Sequence, residues 1–200
     1  MLRDAARMAE ALGRPAEEAA GYRARADALV DTMNAKLRRP DGVYVDGLAA
    51  TGEQSTHAGQ HSTSYAIAHG VAPEADRPAL AGYLASLGMK QGPMTAHWLL
   101  AALGEAGRAD AVLDLLTNPD DLGWANILAQ GGTFTWEAWT LDPGTNFSQS
   151  HGWGAQAVVD VQETLLGVRT ATPGAGRVDV VPRQPACRTP PAPCTPSVAR

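Results

Sequence analysis

Apolar residues recur along most of this chain at alternating spacings of three and four, and Gly or Pro interrupts them at short intervals. That period lays one buried stripe along a helix, so the chain is read as a series of amphipathic helices joined by turns. The clearest case is residues 15–39, with Ala19, Tyr22, Ala26, Leu29, Met33 and Leu37 on one face. Pro15 suits a first helical position, and Glu17 and Glu18 suit the positive end of the helix dipole. Arg38 and Arg39 suit the negative end, and Pro40-Asp41-Gly42 stops the helix. A shorter helix over residues 2–12 precedes it across Gly13-Arg14, and the two read as an antiparallel pair. An extended piece, Val43-Tyr44-Val45, comes next.

Helical patterns resume over residues 57–69. Next comes a segment opened by Pro73 and Pro78, with Leu80, Tyr83, Leu84 and Leu87 on one face. Residues 93–106 carry Met94, Trp98 and Leu103 as a ridge, and residues 109–116 turn Val112, Leu113 and Leu116 inward. After a long loop, residues 150–166 are expected to bury Ala155, Val158, Val159, Leu165 and Leu166. The fold class is therefore all-α, built of helix pairs. Near the end, Arg177-Val178-Asp179-Val180-Val181 alternates like a strand. Six of the 14 prolines fall between Pro182 and Pro196, a composition that predicts a disordered tail.

Helix pairs stack in two ways, as a closed toroid around a cavity or as an open solenoid that scaffolds partners. Leu103-Gly104-Glu105-Ala106-Gly107-Arg108-Ala109-Asp110-Ala111 resembles the turn of many helical repeats. No fixed period can be laid over the chain, however, and uneven loops favour the toroid.

Several classes are excluded. No apolar run approaches the ~20 residues that span a bilayer, so no membrane partner is expected. The start lacks an apolar signal-peptide core, which implies a cytoplasmic protein if Met1 is the true start. Net charge is −5 with both signs interspersed, so there is no basic face for nucleic acid. Cys187 and Cys194 sit in the Pro-rich tail and make neither a disulfide framework nor a metal site. His57 and His61 would share a helix face, but no Glu adjoins them and no third ligand suggests itself. No metal and no cofactor is expected.

Four of the 5 tryptophans lie between Trp124 and Trp153, among Gly, Thr and Ser. Indole faces stack on the C–H faces of sugar rings, and polar neighbours reach the hydroxyls; the same rings also serve as core. Glu137, between Trp136 and Trp139, comes just after a Gly-Gly-Thr turn. Thr135 could cap a short helix there, ended by Asp142-Pro143-Gly144. A carboxylate in such a first turn is held ionised, as a general base must be, or simply stabilises the helix. His151 precedes the last helix, with Ser148 and Ser150 as caps. A helix N-terminus favours its neutral imidazole, able either to bind sugar hydroxyls or to serve as a structural loop residue. Gly152 and Gly154 would let a ligand approach the backbone.

Thr133-Phe134-Thr135-Trp136-Glu137-Ala138-Trp139, succeeded by Asn146-Phe147-Ser148-Gln149-Ser150-His151-Gly152-Trp153-Gly154-Ala155, resembles the C-terminal signature of α-L-rhamnosidases of glycoside hydrolase family 78. The resemblance covers roughly residues 1–174. It implies a partial six-hairpin (α/α) toroid over residues 1–168. Residues 169–200 would then be the truncated start of a β-sandwich and a disordered tail. It further implies hydrolysis of terminal α-L-rhamnose with inversion, on a rhamnose-containing glycoside. Glu137 matches the general base and His151 a sugar-binding residue, with Trp136, Trp139 and Trp153 as walls. In the family, the general acid lies on an Asp-Arg-Glu motif upstream of the position of Met1, and no such motif occurs here; Asp46, Glu53 and Asp142 read as stray loop acids. The expectation is a fragment, inactive alone and self-associating through exposed helix faces. Another α/α-barrel glycosidase, or a non-catalytic scaffold or sugar-binding module, are the competing readings.

Overall fold

The computed structural model describes residues 1–141 and 144–182. Asp142 and the tail expected to be disordered from residue 183 on, with Cys187 and Cys194, lie outside the described residues. The described residues form helical hairpins, as the periodicity requires.

Helices α1 (Leu2–Ala11) and α2 (Ala16–Leu37) pair across a left-handed Gly13 (φ 63). Their contact is a small core of its own, Ala6, Ala9 and Ala19 with Tyr22 against it. The stripe on α2 departs from expectation at one position: Leu29 is 51% exposed, and the half-buried residue is Val30. Burial steps from Tyr22 to Ala26 to Val30, successive turns of one face.

In the extended piece after α2, Val43, Tyr44 and Val45 are all buried. The Tyr44 amide donates to Thr63 Oγ1 at 3.1 Å, which seats this piece on α3 (Gln60–Ala68). Then come α4 (Arg77–Ser86), α5 (Ala96–Glu105) and α6 (Ala109–Thr117). α5 is the centre of the main core: Leu99, Leu100 and Leu103 are wholly buried, and α3, α4, α6 and α8 (Ala157–Asp160) all pack on it. Met94, expected on its ridge, precedes the helix and is 54% exposed. A six-residue helix, α7 (Trp124–Ala129), occupies what the sequence suggested was loop; one and a half turns are too short to show a period.

The segment expected to be one helix over residues 150–166 is three pieces. A 3-10 turn (Gly152–Gln156) leads into α8, and a π-helical stretch (Val161–Leu165) comes after it. Its buried positions are Gly154, Ala157, Asp160 and Thr164, whereas Val158, Val159 and Leu166 are exposed. Strand β1 (Val168–Thr170) pairs antiparallel with β2 (Val178–Val180), the expected strand, with Val168 opposite Val180. At Gly167 (φ 68) a Cβ would stand 1.9 Å from the Val181 carbonyl oxygen, so this close return of the chain requires glycine. Among the described residues, no helix is long and apolar enough to cross a membrane.

Candidate active site

Two limbs of one long loop, residues 133–139 and 146–153, lie side by side. The Glu137 amide donates to the Ser148 carbonyl at 2.8 Å, and the His151 amide donates to the Thr135 carbonyl at 2.8 Å. The Thr135 hydroxyl donates to the His151 carbonyl. Two steps on the first limb answer three on the second, so the pairing contains a one-residue bulge. Glu137 seals that bulge itself: the Ser148 amide donates to its Oε2 at 2.9 Å.

This geometry replaces the short helix expected at Thr135. Thr135 caps nothing, because its hydroxyl and carbonyl are committed to His151, and Glu137 lies in a bend rather than a first helical turn. The backbone groups that a helix would need are spent across the loop. Glu137 is half-buried, and the polar group that fixes it is the Ser148 amide, not a helix terminus.

His151, also half-buried, caps the 3-10 turn with its own ring: the Trp153 amide donates to Nδ1 at 3.3 Å. Nδ1 is then the acceptor nitrogen, which leaves Nε2 as the donor nitrogen of the ring. Ser148 and Ser150, expected as caps, bond each other. The His151 and Trp153 rings lie 4.2 Å apart, and Trp153 is 38% exposed.

The other two indoles of the motif point inward. Trp136 and Trp139 are 3% and 5% exposed and belong to the main core. Trp139 Nε1 donates to the Gln91 carbonyl at 2.6 Å and packs on Trp124, with ring centres 4.9 Å apart. Their faces are therefore covered by protein; they hold the Glu137 bend between them, and of the three expected wall rings Trp153 is the exposed one. Gly154 serves packing rather than ligand approach: a Cβ there would sit 2.9 Å from Thr135 Cβ, and its carbonyl accepts from Trp124 Nε1 at 2.8 Å. Gly152 faces open space.

Two polar arrangements escaped the sequence. Asp46, read as a stray acid, accepts from the Gly59 amide at 2.7 Å and the Ser62 hydroxyl at 2.6 Å, and also bonds His57 Nδ1. Ser62 and His57 hold its carboxyl down at about 2. It anchors the start of α3 and takes up His57, so His57 and His61 do not act as a pair. His97 Nδ1 stands 3.1 and 3.0 Å from the two oxygens of Asp160, whose side chain is 3% exposed. Burial pushes the Asp160 carboxyl up, against the pull of His97, and the hydrogen bond to Asp160 raises His97. An acid inside Val158-Val159-Asp160-Val161 was the one available signal of this pair. Among the described residues no group of three metal-ligating side chains assembles.

A family model described as the bacterial alpha-L-rhamnosidase 6 hairpin glycosidase domain matches residues 1–160. The chain belongs to this family. Family membership decides between toroid and solenoid: the helical hairpins are part of an α/α six-hairpin toroid. Solved structures agree. The rhamnosidase of glycoside hydrolase family 78 from Bacillus sp. GL1 superposes with a TM-score of 0.75 at 28% identity, over 90% of this chain and 20% of its own. Streptomyces avermitilis alpha-L-rhamnosidase complexed with L-rhamnose gives 0.70 at 23% identity, over 89% and 17%. The alpha-L-rhamnosidase of Dictyoglumus thermophilum gives 0.76 at 17% identity, over 90% and 20%. The last two share the fold alone. The chain spans about a fifth of the length of these solved relatives. No curated protein matches it in sequence.

Proposed function

We propose that this chain supplies the general-base side of an inverting α-L-rhamnosidase, with Glu137 as the base. The observation that carries the reading is the bulged pairing of the two limbs. It holds the Glu137 carboxylate against the Ser148 amide and brings His151 and Trp153 into the same loop. A carboxylate receiving an amide hydrogen bond keeps a fixed orientation and can take a proton from water. His151 Nε2 donates to a sugar hydroxyl, and the exposed Trp153 ring takes a C–H face. Trp136 and Trp139 act from behind, by fixing the bend on which Glu137 stands.

Inversion needs a second carboxyl group, about 6.5–9.5 Å from the first, to protonate the leaving oxygen while Glu137 activates water on the opposite face. By the family resemblance that acid stands on hairpins outside this sequence. Alone, the chain binds a rhamnose-containing glycoside weakly and does not turn it over. Residues 1–168 form the toroid part, and the β1–β2 ladder opens the β-sandwich part. The test is reconstitution: the chain combined with the upstream hairpins of a relative, with the first-formed sugar tracked by NMR. The expected product of an aryl α-L-rhamnoside is β-L-rhamnose. Initial release of the α anomer, or turnover by the chain alone, would overturn the assignment.

A further inference from the structure

Beyond the Glu137 loop, α3 and α5 carry a strip of partly exposed rings. His61 and Tyr65 of α3 and His69, its C-cap, stand at successive four-residue steps and so share one face. Tyr65 lies 6.0 Å from His61, 6.1 Å from His69 and 6.1 Å from Trp98 of α5. Trp98 is in turn 4.5 Å from His69 and 4.8 Å from His97. His69 is exposed, and the other four are half-buried.

The strip has a built floor. His97 Nδ1 faces both oxygens of the buried Asp160, at 3.1 and 3.0 Å, which leaves its Nε2 turned away from the carboxyl group. At the other end, His61 Nε2 is 3.1 Å from Thr95 Oγ1. The strip is also joined to the Glu137 loop. Gln91, wholly buried, accepts from Trp139 through its carbonyl and donates from its side chain to Ser64 Oγ at 2.7 Å, next to Tyr65. The turn that carries Gln91 and Thr95 therefore touches both.

Apolar ring faces rimmed by imidazole nitrogens and a phenol are what an uncharged pyranose asks for: C–H faces on rings, hydroxyls on polar edges. The Asp160 carboxyl group is taken up by His97. We infer that the His61–Tyr65–His69–Trp98–His97 strip is a second sugar-binding surface, taking a neutral pyranose unit beyond the terminal rhamnose. Its place in the substrate rests on the reading of Glu137 and His151 as the rhamnose site; its binding is measured apart from that reading.

The chain has 5 histidines, and their imidazole proton resonances separate the two surfaces. The probes are methyl α-L-rhamnopyranoside and a rhamnosyl-glucose disaccharide. The monosaccharide is expected to move His151, and the disaccharide to move His151 together with His61, His69 and His97. His57, bonded to Asp46, serves as the reference. His69→Ala removes an exposed ring and Tyr65→Phe a hydroxyl, both compatible with the fold, which circular dichroism checks. Each is expected to weaken the disaccharide about fivefold, the scale of one ring contact for His69→Ala and of one hydrogen bond for Tyr65→Phe, and to leave the monosaccharide within about twofold. Movement of the strip histidines without His151 sustains the strip and removes the Glu137 reading. Movement of His151 alone, unchanged disaccharide affinity in both variants, or no movement with either sugar overturns the strip.

Discussion

The two acid pairings place titratable groups under opposite physical demands. Asp46 is surface-near and held low by Ser62 and His57, so its contribution to stability is present above the ordinary carboxylate range and lost as pH falls toward about 2. Melting temperature should drop between pH 4 and 2, and Asp46→Asn should flatten that part of the profile. A variant as acid-sensitive as the parent would deny Asp46 its role at the start of α3. His97 is raised by Asp160, and Asp160 is raised by burial. Both contributions are lost as pH rises, in separate windows: that of Asp160 as pH rises from the ordinary carboxylate value, and that of His97, full below the ordinary imidazole value, as pH rises through its raised one. Thermal stability of the parent should therefore fall from neutral into mildly alkaline pH, and His97→Gln should not share that trend. Identical slopes in the two proteins would contradict this account. Neither pairing was legible in the sequence, because the partners are 11 and 63 residues apart and no local spacing announces them. As candidates for the proposed site, Glu137 and His151 stood out only through the motif that surrounds them. Local propensity put Glu137 on a helix, and cross-loop hydrogen bonds overrode it.

At the scale of elements, helices with a single wide apolar face were readable, and α1 to α6 stand close to where their periods put them. The segment at residues 150–166 was not. Val158-Val159 and Leu165-Leu166 are adjacent pairs, and neighbours on a helix cannot both face one core. The face that packs is Gly154, Ala157, Asp160 and Thr164, small or polar residues that hydropathy passes over. Close packing explains the choice: a Cβ on Gly104 would stand 2.5 Å from Thr164 Oγ1, so α5 and this segment meet where bulk is lowest.

At the scale of the molecule, the outward valines matter. Leu128 is 70% exposed, Val158 69% and Phe134 56%, and all three line one apolar groove of about 380 Å³ beside Thr135 and Gly154. Contiguous apolar surface of this kind drives association in water. Sedimentation velocity is expected to show concentration-dependent self-association, reduced by Val158→Asp; a strict monomer at all concentrations would remove this expectation. The toroid reading was available from uneven loops, but its closure came only from the family. The central claim is that Glu137 takes the proton from the attacking water. Its most direct test is the kcat of the reconstituted enzyme on an aryl α-L-rhamnoside with Glu137→Gln. A positioned general base contributes about 10²- to 10⁴-fold, so kcat should fall by that order while KM changes little. A Glu137→Gln enzyme that keeps its kcat would contradict the assignment outright.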